Sequence, residues 1–166
     1  MDPSRRQFLR GCSPRESQPI PRPPWAIQEA AFAHACSRCN ACIQSCPYRL
    51  LIRGDGGYPQ IDFRRGGCDF CEACAEACED GALRLTDSVT TLPWRARIGD
   101  ACLARRGVVC RSCAEACDSA AIRIRPRIGG VALPELDEEV CNGCGACFHD
   151  CPTRAITMVP SPADTP

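Results

Sequence analysis

Sixteen of the chain's cysteines fall into four groups of four, and the gaps inside those groups leave little freedom in what the chain can fold into. The groups are Cys36, Cys39, Cys42 and Cys46; Cys68, Cys71, Cys74 and Cys78; Cys102, Cys110, Cys113 and Cys117; and Cys141, Cys144, Cys147 and Cys151. Three of them have the spacing C-x2-C-x2-C-x3-C, and the first and last run straight into proline (Cys46-Pro47, Cys151-Pro152). Two-residue gaps on a curling loop turn successive thiols onto one point, so that three sulfurs take three corners of a cubane. The fourth cysteine, a helical turn further on, points away and reaches the neighbouring site. The spacing predicts one [4Fe–4S] cluster per quartet, four in all, with these sixteen cysteines as ligands.

The crossing rule gives a ligand map. Cys36, Cys39 and Cys42 share a site with Cys78, and Cys68, Cys71 and Cys74 share one with Cys46. In the second half, Cys102, Cys110 and Cys113 pair with Cys151, and Cys141, Cys144 and Cys147 with Cys117. The third quartet departs from the pattern, because Leu103 to Val109 separate its first two cysteines. A longer loop still delivers a thiolate at modest entropic cost, which makes this the site expected to be most labile. Zinc sites use C-x2-C pairs, often with histidine; here each loop would carry a surplus cysteine, and His34 and His149 are the only histidines. Disulfides need an oxidising compartment and a geometry that such close spacings disfavour. Cys12 is the odd thiol of seventeen and is read as a non-ligand.

The run is that of bacterial ferredoxins, and the pattern around it predicts an α+β fold of two tandem 2[4Fe–4S] ferredoxin-like halves. Each quartet precedes a short apolar segment, among them Ala82-Leu83-Arg84-Leu85 and Ala121-Ile122-Arg123-Ile124, whose alternation suits a half-buried strand. Gly54 to Gly57 and Gly129-Gly130 predict turns into second strands, Tyr58 to Phe63 and Val131 to Leu136. A helix is expected from Trp25 to Ala35, just past a proline pair. The organisation expected is a Pro-rich arm over 1–24, a first half over 25–87, a joining segment over 88–97, a second half over 98–159 and a tail over 160–166.

Twenty arginines, with no lysine, balance twenty acidic residues, so no net field points toward nucleic acid or an anionic membrane. The arginine usage fits either a GC-rich coding background or partial compensation of negatively charged clusters. No segment approaches the ~20 apolar residues needed to cross a bilayer, so no membrane insertion is expected. Ser4-Arg5-Arg6-Gln7-Phe8-Leu9 looks like a twin-arginine export motif. The Pro-broken polar stretch after it lacks the apolar run an export signal needs, so a cytoplasmic location is expected; a chance basic tail is the alternative. No nucleotide-binding loop and no Ser–His–acid set is apparent, so no catalytic residue is assigned and the chain is read as a non-enzyme. Asp69, Glu72, Glu76 and Glu115 are read as solvated faces of the ligand loops.

The chain resembles the NapF-type ferredoxins encoded alongside periplasmic nitrate reductase. The likeness is carried by Ser4-Arg5-Arg6, Arg22-Pro23-Pro24-Trp25, Gly56-Gly57-Tyr58-Pro59, Ile98-Gly99-Asp100-Ala101-Cys102-Leu103-Ala104 and Cys141-Asn142-Gly143-Cys144-Gly145-Ala146-Cys147. The resemblance implies a cytoplasmic protein with four [4Fe–4S] clusters. It further implies that the chain acts on the catalytic subunit of the nitrate reductase before export, in maturation or in electron or cluster supply. It also makes the stretched third quartet a family trait. The alternatives are a general electron-transfer ferredoxin, a polyferredoxin subunit of a larger oxidoreductase, or a scaffold that stores clusters.

Overall fold

A computed structural model describes residues 20–85 and 91–161. Cys12, the Arg5-Arg6 head and the end of the tail lie outside the described residues.

The first half begins on a strand-like contact instead of a helix. Ala26 bridges Leu83 in antiparallel fashion, and Arg84 N–H donates to the Trp25 carbonyl. With the backbone of residues 25–27 engaged there, helix α1 starts later than expected and spans Glu29–Ala35. It turns Phe32 wholly inward. After the first ligand loop come α2 (Ala41–Ser45) and the antiparallel pair β1 (Leu51–Arg53) and β2 (Pro59–Ile61), in register Leu51 to Ile61. The second strand is shorter than the expected 58–63. The Asp62 carboxylate accepts a bond from the Arg64 N–H and starts a 3-10 turn, Phe63–Arg65. The second ligand loop leads into α3 (Ala73–Glu76). The strand expected at 82–85 amounts to the single bridge at Leu83.

From Trp94 on, the segment expected to join the halves is a strand. β3 (Trp94–Ile98) pairs antiparallel with β6 (Ile156–Pro160), Ile98 lying opposite Ile156. Between them lie α4 (Ser112–Glu115), the hairpin β4 (Ile122–Arg127) and β5 (Gly130–Leu136), and α5 (Ala146–His149). The expected alternation holds in β4, where Ile122 is buried and Arg123 exposed. The β3–β6 sheet is thus the second half's counterpart of the Ala26–Leu83 bridge, and the architecture is two tandem α+β ferredoxin units.

Helices of four to seven residues have no stability of their own, so packing and the ligand loops must hold them. One core gathers Trp25, Phe32, Leu51, Ile61, Phe63 and Leu83 together with Leu92 and Trp94 from the later segment. A second gathers Ala96, Ile122 and Ile156 around the buried Cys113 and Cys147. Phe148 and Met158 pack against both. Each buried Phe, Ile or Leu contributes about 1.5–3 kcal/mol, and cores this small normally need an added staple.

Candidate metal centres

Three ligand loops share one backbone device. The residue before the second cysteine and the residue after it both sit at positive φ: Arg38 and Asn40, Phe70 and Glu72, Gly143 and Gly145. Left-handed residues flanking a cysteine turn successive N–H groups to one side, the concavity that holds anionic and iron–sulfur groups. Another left-handed residue follows three places after every fourth cysteine: Arg49, Gly81, Ala120 and Arg154. The third loop lacks the flanking pair, and Arg111 keeps φ −132°. A seven-residue gap between Cys102 and Cys110 has replaced the tight curl.

These loops bring the thiols together in crossed sets. Cys36, Cys39, Cys42 and Cys78 line one cavity. Cys102, Cys110, Cys113 and Cys151 line another. The thiols whose charge bears on Cys74 are Cys68, Cys42, Cys46 and Cys71. On Cys147 they are Cys144, Cys141, Cys117 and Cys113. Cys39 and Cys71 are exposed, and the rest are half-buried or buried.

Burial and these neighbours penalise negative charge. Burial foremost, then adjacent thiols, pushes Cys42 and Cys113 up to about 11 and Cys74 and Cys147 up to about 12. Burial raises Cys68 to about 12 against a backbone bond at Phe70 that lowers it. Thiolates in such places need cationic partners, because metal ligation requires the deprotonated form. Among the described residues, no three His, Cys, Asp or Glu side chains converge closely enough for a single metal ion. Four soft sulfur donors around a shared cavity instead fit a group of several atoms, and the sixteen cysteines fit four [4Fe–4S] clusters.

Second partners surround the sulfurs unequally. Leu83 N–H donates to Cys78 Sγ at 3.3 Å and Ala155 N–H to Cys151 Sγ at 3.2 Å. Hydroxyls stand beside Cys110 (Ser112, 3.7 Å), Cys117 (Ser119, 3.5 Å) and Cys151 (Thr153, 3.8 Å). Next to a thiolate each hydroxyl must donate. Asp69 is exposed, and its carboxylate also accepts from Cys71 N–H at 3.2 Å, as the Asn142 side chain does from Cys144 N–H. In the first loop Ser37 occupies that place and bonds to Asp80. Reading spacing alone missed these hydroxyls, although a Ser or Thr two residues after a ligand cysteine was visible in the sequence.

Among the described residues, no helix is long and apolar enough to cross a membrane. A 4Fe-4S dicluster domain family matches residues 35–83, and a second family of that description matches 108–155. The second match begins after Cys102, in keeping with the insertion. The ferredoxin-type protein NapF of Escherichia coli K12 is 45% identical over 159 residues, covering 95% of this chain and 94% of that protein. Its namesake in Haemophilus influenzae is 38% identical, covering 93% and 92%. The ferredoxin-type protein NapG of Escherichia coli K12 is 37% identical, covering 84% and 70%. With two dicluster units, four cysteine quartets and near full-length identity to NapF, the chain belongs to the NapF family of ferredoxin-type iron–sulfur proteins.

Proposed function

We propose that the four crossed thiol sets are the ligand sets of four [4Fe–4S] clusters. We further propose that the chain acts in the cytoplasm on the catalytic subunit of periplasmic nitrate reductase before its export, in maturation or in electron or cluster supply. The near full-length 45% identity to NapF carries the second part of this reading. When bound, the clusters supply one-electron chemistry. The chain's own residues supply the rest: the left-handed loop positions aim N–H groups inward, Ser112, Ser119 and Thr153 donate to sulfur, and buried side chains limit water.

The test is an anaerobic pull-down from cytoplasm with the tagged chain. Recovery of the catalytic subunit still carrying its export signal supports the accessory role. Recovery of general redox enzymes alone, or of nothing, moves the chain to the second reading, a general electron carrier. That reading is favoured by Cys39 and Cys71, whose exposure brings the first two sets to the surface. Iron and sulfide assays on the same preparation count the clusters, with about sixteen of each expected for four cubanes.

A further inference from the structure

The two halves touch through their ligand loops. Cys68 N–H, at the start of the second loop, donates to the Cys144 carbonyl in the fourth at 2.9 Å. Beside this bond the chains approach too closely for side chains. A Cβ on Gly67 would lie 2.6 Å from Ala146 Cβ and 2.8 Å from its Cα. A Cβ on Gly145 would run into the Phe63 ring, and one on Gly143 into the backbone at Leu92 and Trp94. His149 Nδ1 meets the Arg64 carbonyl at 2.9 Å, and Phe63 stands edge-on to Trp94.

Backbone conformation alone does not call for these glycines. Gly67 has no positive φ. Gly143 and Gly145 do, yet the equivalent places in the other loops hold Arg38 and Asn40, and Phe70 and Glu72, at similar angles. What sets the fourth loop apart is what presses on it, Phe63 of the first half at Gly145 and the backbone leading into β3 at Gly143. Glycine is the residue that lets two backbones come this close.

We propose that Gly67 and Gly145 are positioning residues of a junction that holds the second and fourth ligand sets side by side. Within the halves, α2 with Cys42 packs on α3 with Cys74, and α4 with Cys113 packs on α5 with Cys147. The four sets therefore form one file in the order first, second, fourth, third, instead of two separate pairs. One electron can then cross between the halves inside the chain, one centre losing it and its neighbour gaining it, with no bond or proton changing. The inference rests on the ligand sets proposed above.

The experiment uses the full chain, loaded anaerobically and reduced with dithionite. Cys39→Ala with Cys110→Ala strips the first and third sets and leaves the two that meet at the junction. About eight iron atoms per chain are expected, for two cubanes. Paramagnetic resonance should show two interacting centres, with a broadened and split spectrum. Adding Gly67→Val should abolish the splitting at unchanged iron content. Independent narrow signals before Gly67→Val, or splitting that survives it, overturns the junction. Iron short of two cubanes overturns the ligand sets instead, and the inference with them. Calorimetry of chains with all sixteen quartet cysteines intact gives a second measurement. One unfolding transition is expected in the parent and in Gly130→Val, where the space around Cβ is open, and two in Gly67→Val. A single transition in Gly67→Val counts against the junction.

Discussion

At the scale of single residues, the hydroxyls are the chain's means of setting one site apart from another. The third set receives Ser112 on Cys110 and Thr153 on Cys151, besides the Ala155 N–H. Among the described residues, the sulfurs of the second set, Cys46, Cys68, Cys71 and Cys74, receive no hydroxyl. Donation to sulfur stabilises the more negative, reduced state, so the third site should have the higher potential. Ser112→Ala with Thr153→Val should lower it by some tens of millivolts, about 59 mV for each 1.4 kcal/mol lost in a one-electron couple. A redox titration followed by paramagnetic resonance reads the shift, and an unmoved potential would rule the hydroxyls out. Arg22 is a structural counterpart. It chelates both oxygens of Glu29, donates to the Pro59 carbonyl and lies 4.8 Å above the Phe32 ring. The bond from Arg22 holds the Glu29 carboxyl below the usual carboxylate range, and burial opposes this. A depressed acid stabilises fully above its unfolded value and loses that contribution as pH falls through the folded one. Glu29 is more than half exposed, so Glu29→Gln should reduce urea stability by less than about 1 kcal/mol at neutral pH. The difference from the parent should vanish in acid.

At the scale of elements, the ligand loops were legible and several of their neighbours were not. Cysteine spacing is a distance constraint that few backbones satisfy, so the quartets specified loop and short helix, and the crossed gathering of thiols around the first and third cavities. The α1 start was hidden because Pro23-Pro24 suits a helix beginning, whereas Trp25 and Ala26 are taken by Leu83 and Arg84 across the half. β3 was hidden because Arg95 and Arg97 next to Pro93 resemble a linker; its burial pattern depends on β6, at the far end of the second half. The left-handed turns at Arg38, Phe70 and Glu72 carry no glycine to announce them. The insertion after Cys102 makes its own prediction. Ala104 is buried beside Cys102 and Ala155, and the loop packs on Val131 and Leu133 of β5. It therefore holds its cysteine by packing, without the tight curl of the other loops. Cys102→Ala should remove about four iron atoms of about sixteen, one cubane, and leave the first two sites intact by iron assay and paramagnetic resonance. Full iron content would assign the fourth corner of that site to another group.

At the scale of the whole molecule, two-stranded sheets and helices of seven residues or fewer surround the thiols, and burial disfavours the thiolate at Cys42, Cys68, Cys74, Cys113 and Cys147. Such a chain has little to hold it together once the iron is gone. Chelation of oxidised protein should abolish most far-ultraviolet dichroism and the cooperative melting transition, as expected where metal binding and folding share one free energy. Retention of both would mean that the apolar cores suffice. The close seat of Gly145 against Phe63 also bears on the repeat. The halves read as copies of one unit, yet the copy cannot be undone: Asn40 or Glu72, set in the place of Gly145, would carry a side chain into that ring. Neither unit can therefore take its sibling's ligand loop without clearing that ring, and the two surfaces are cut to fit each other.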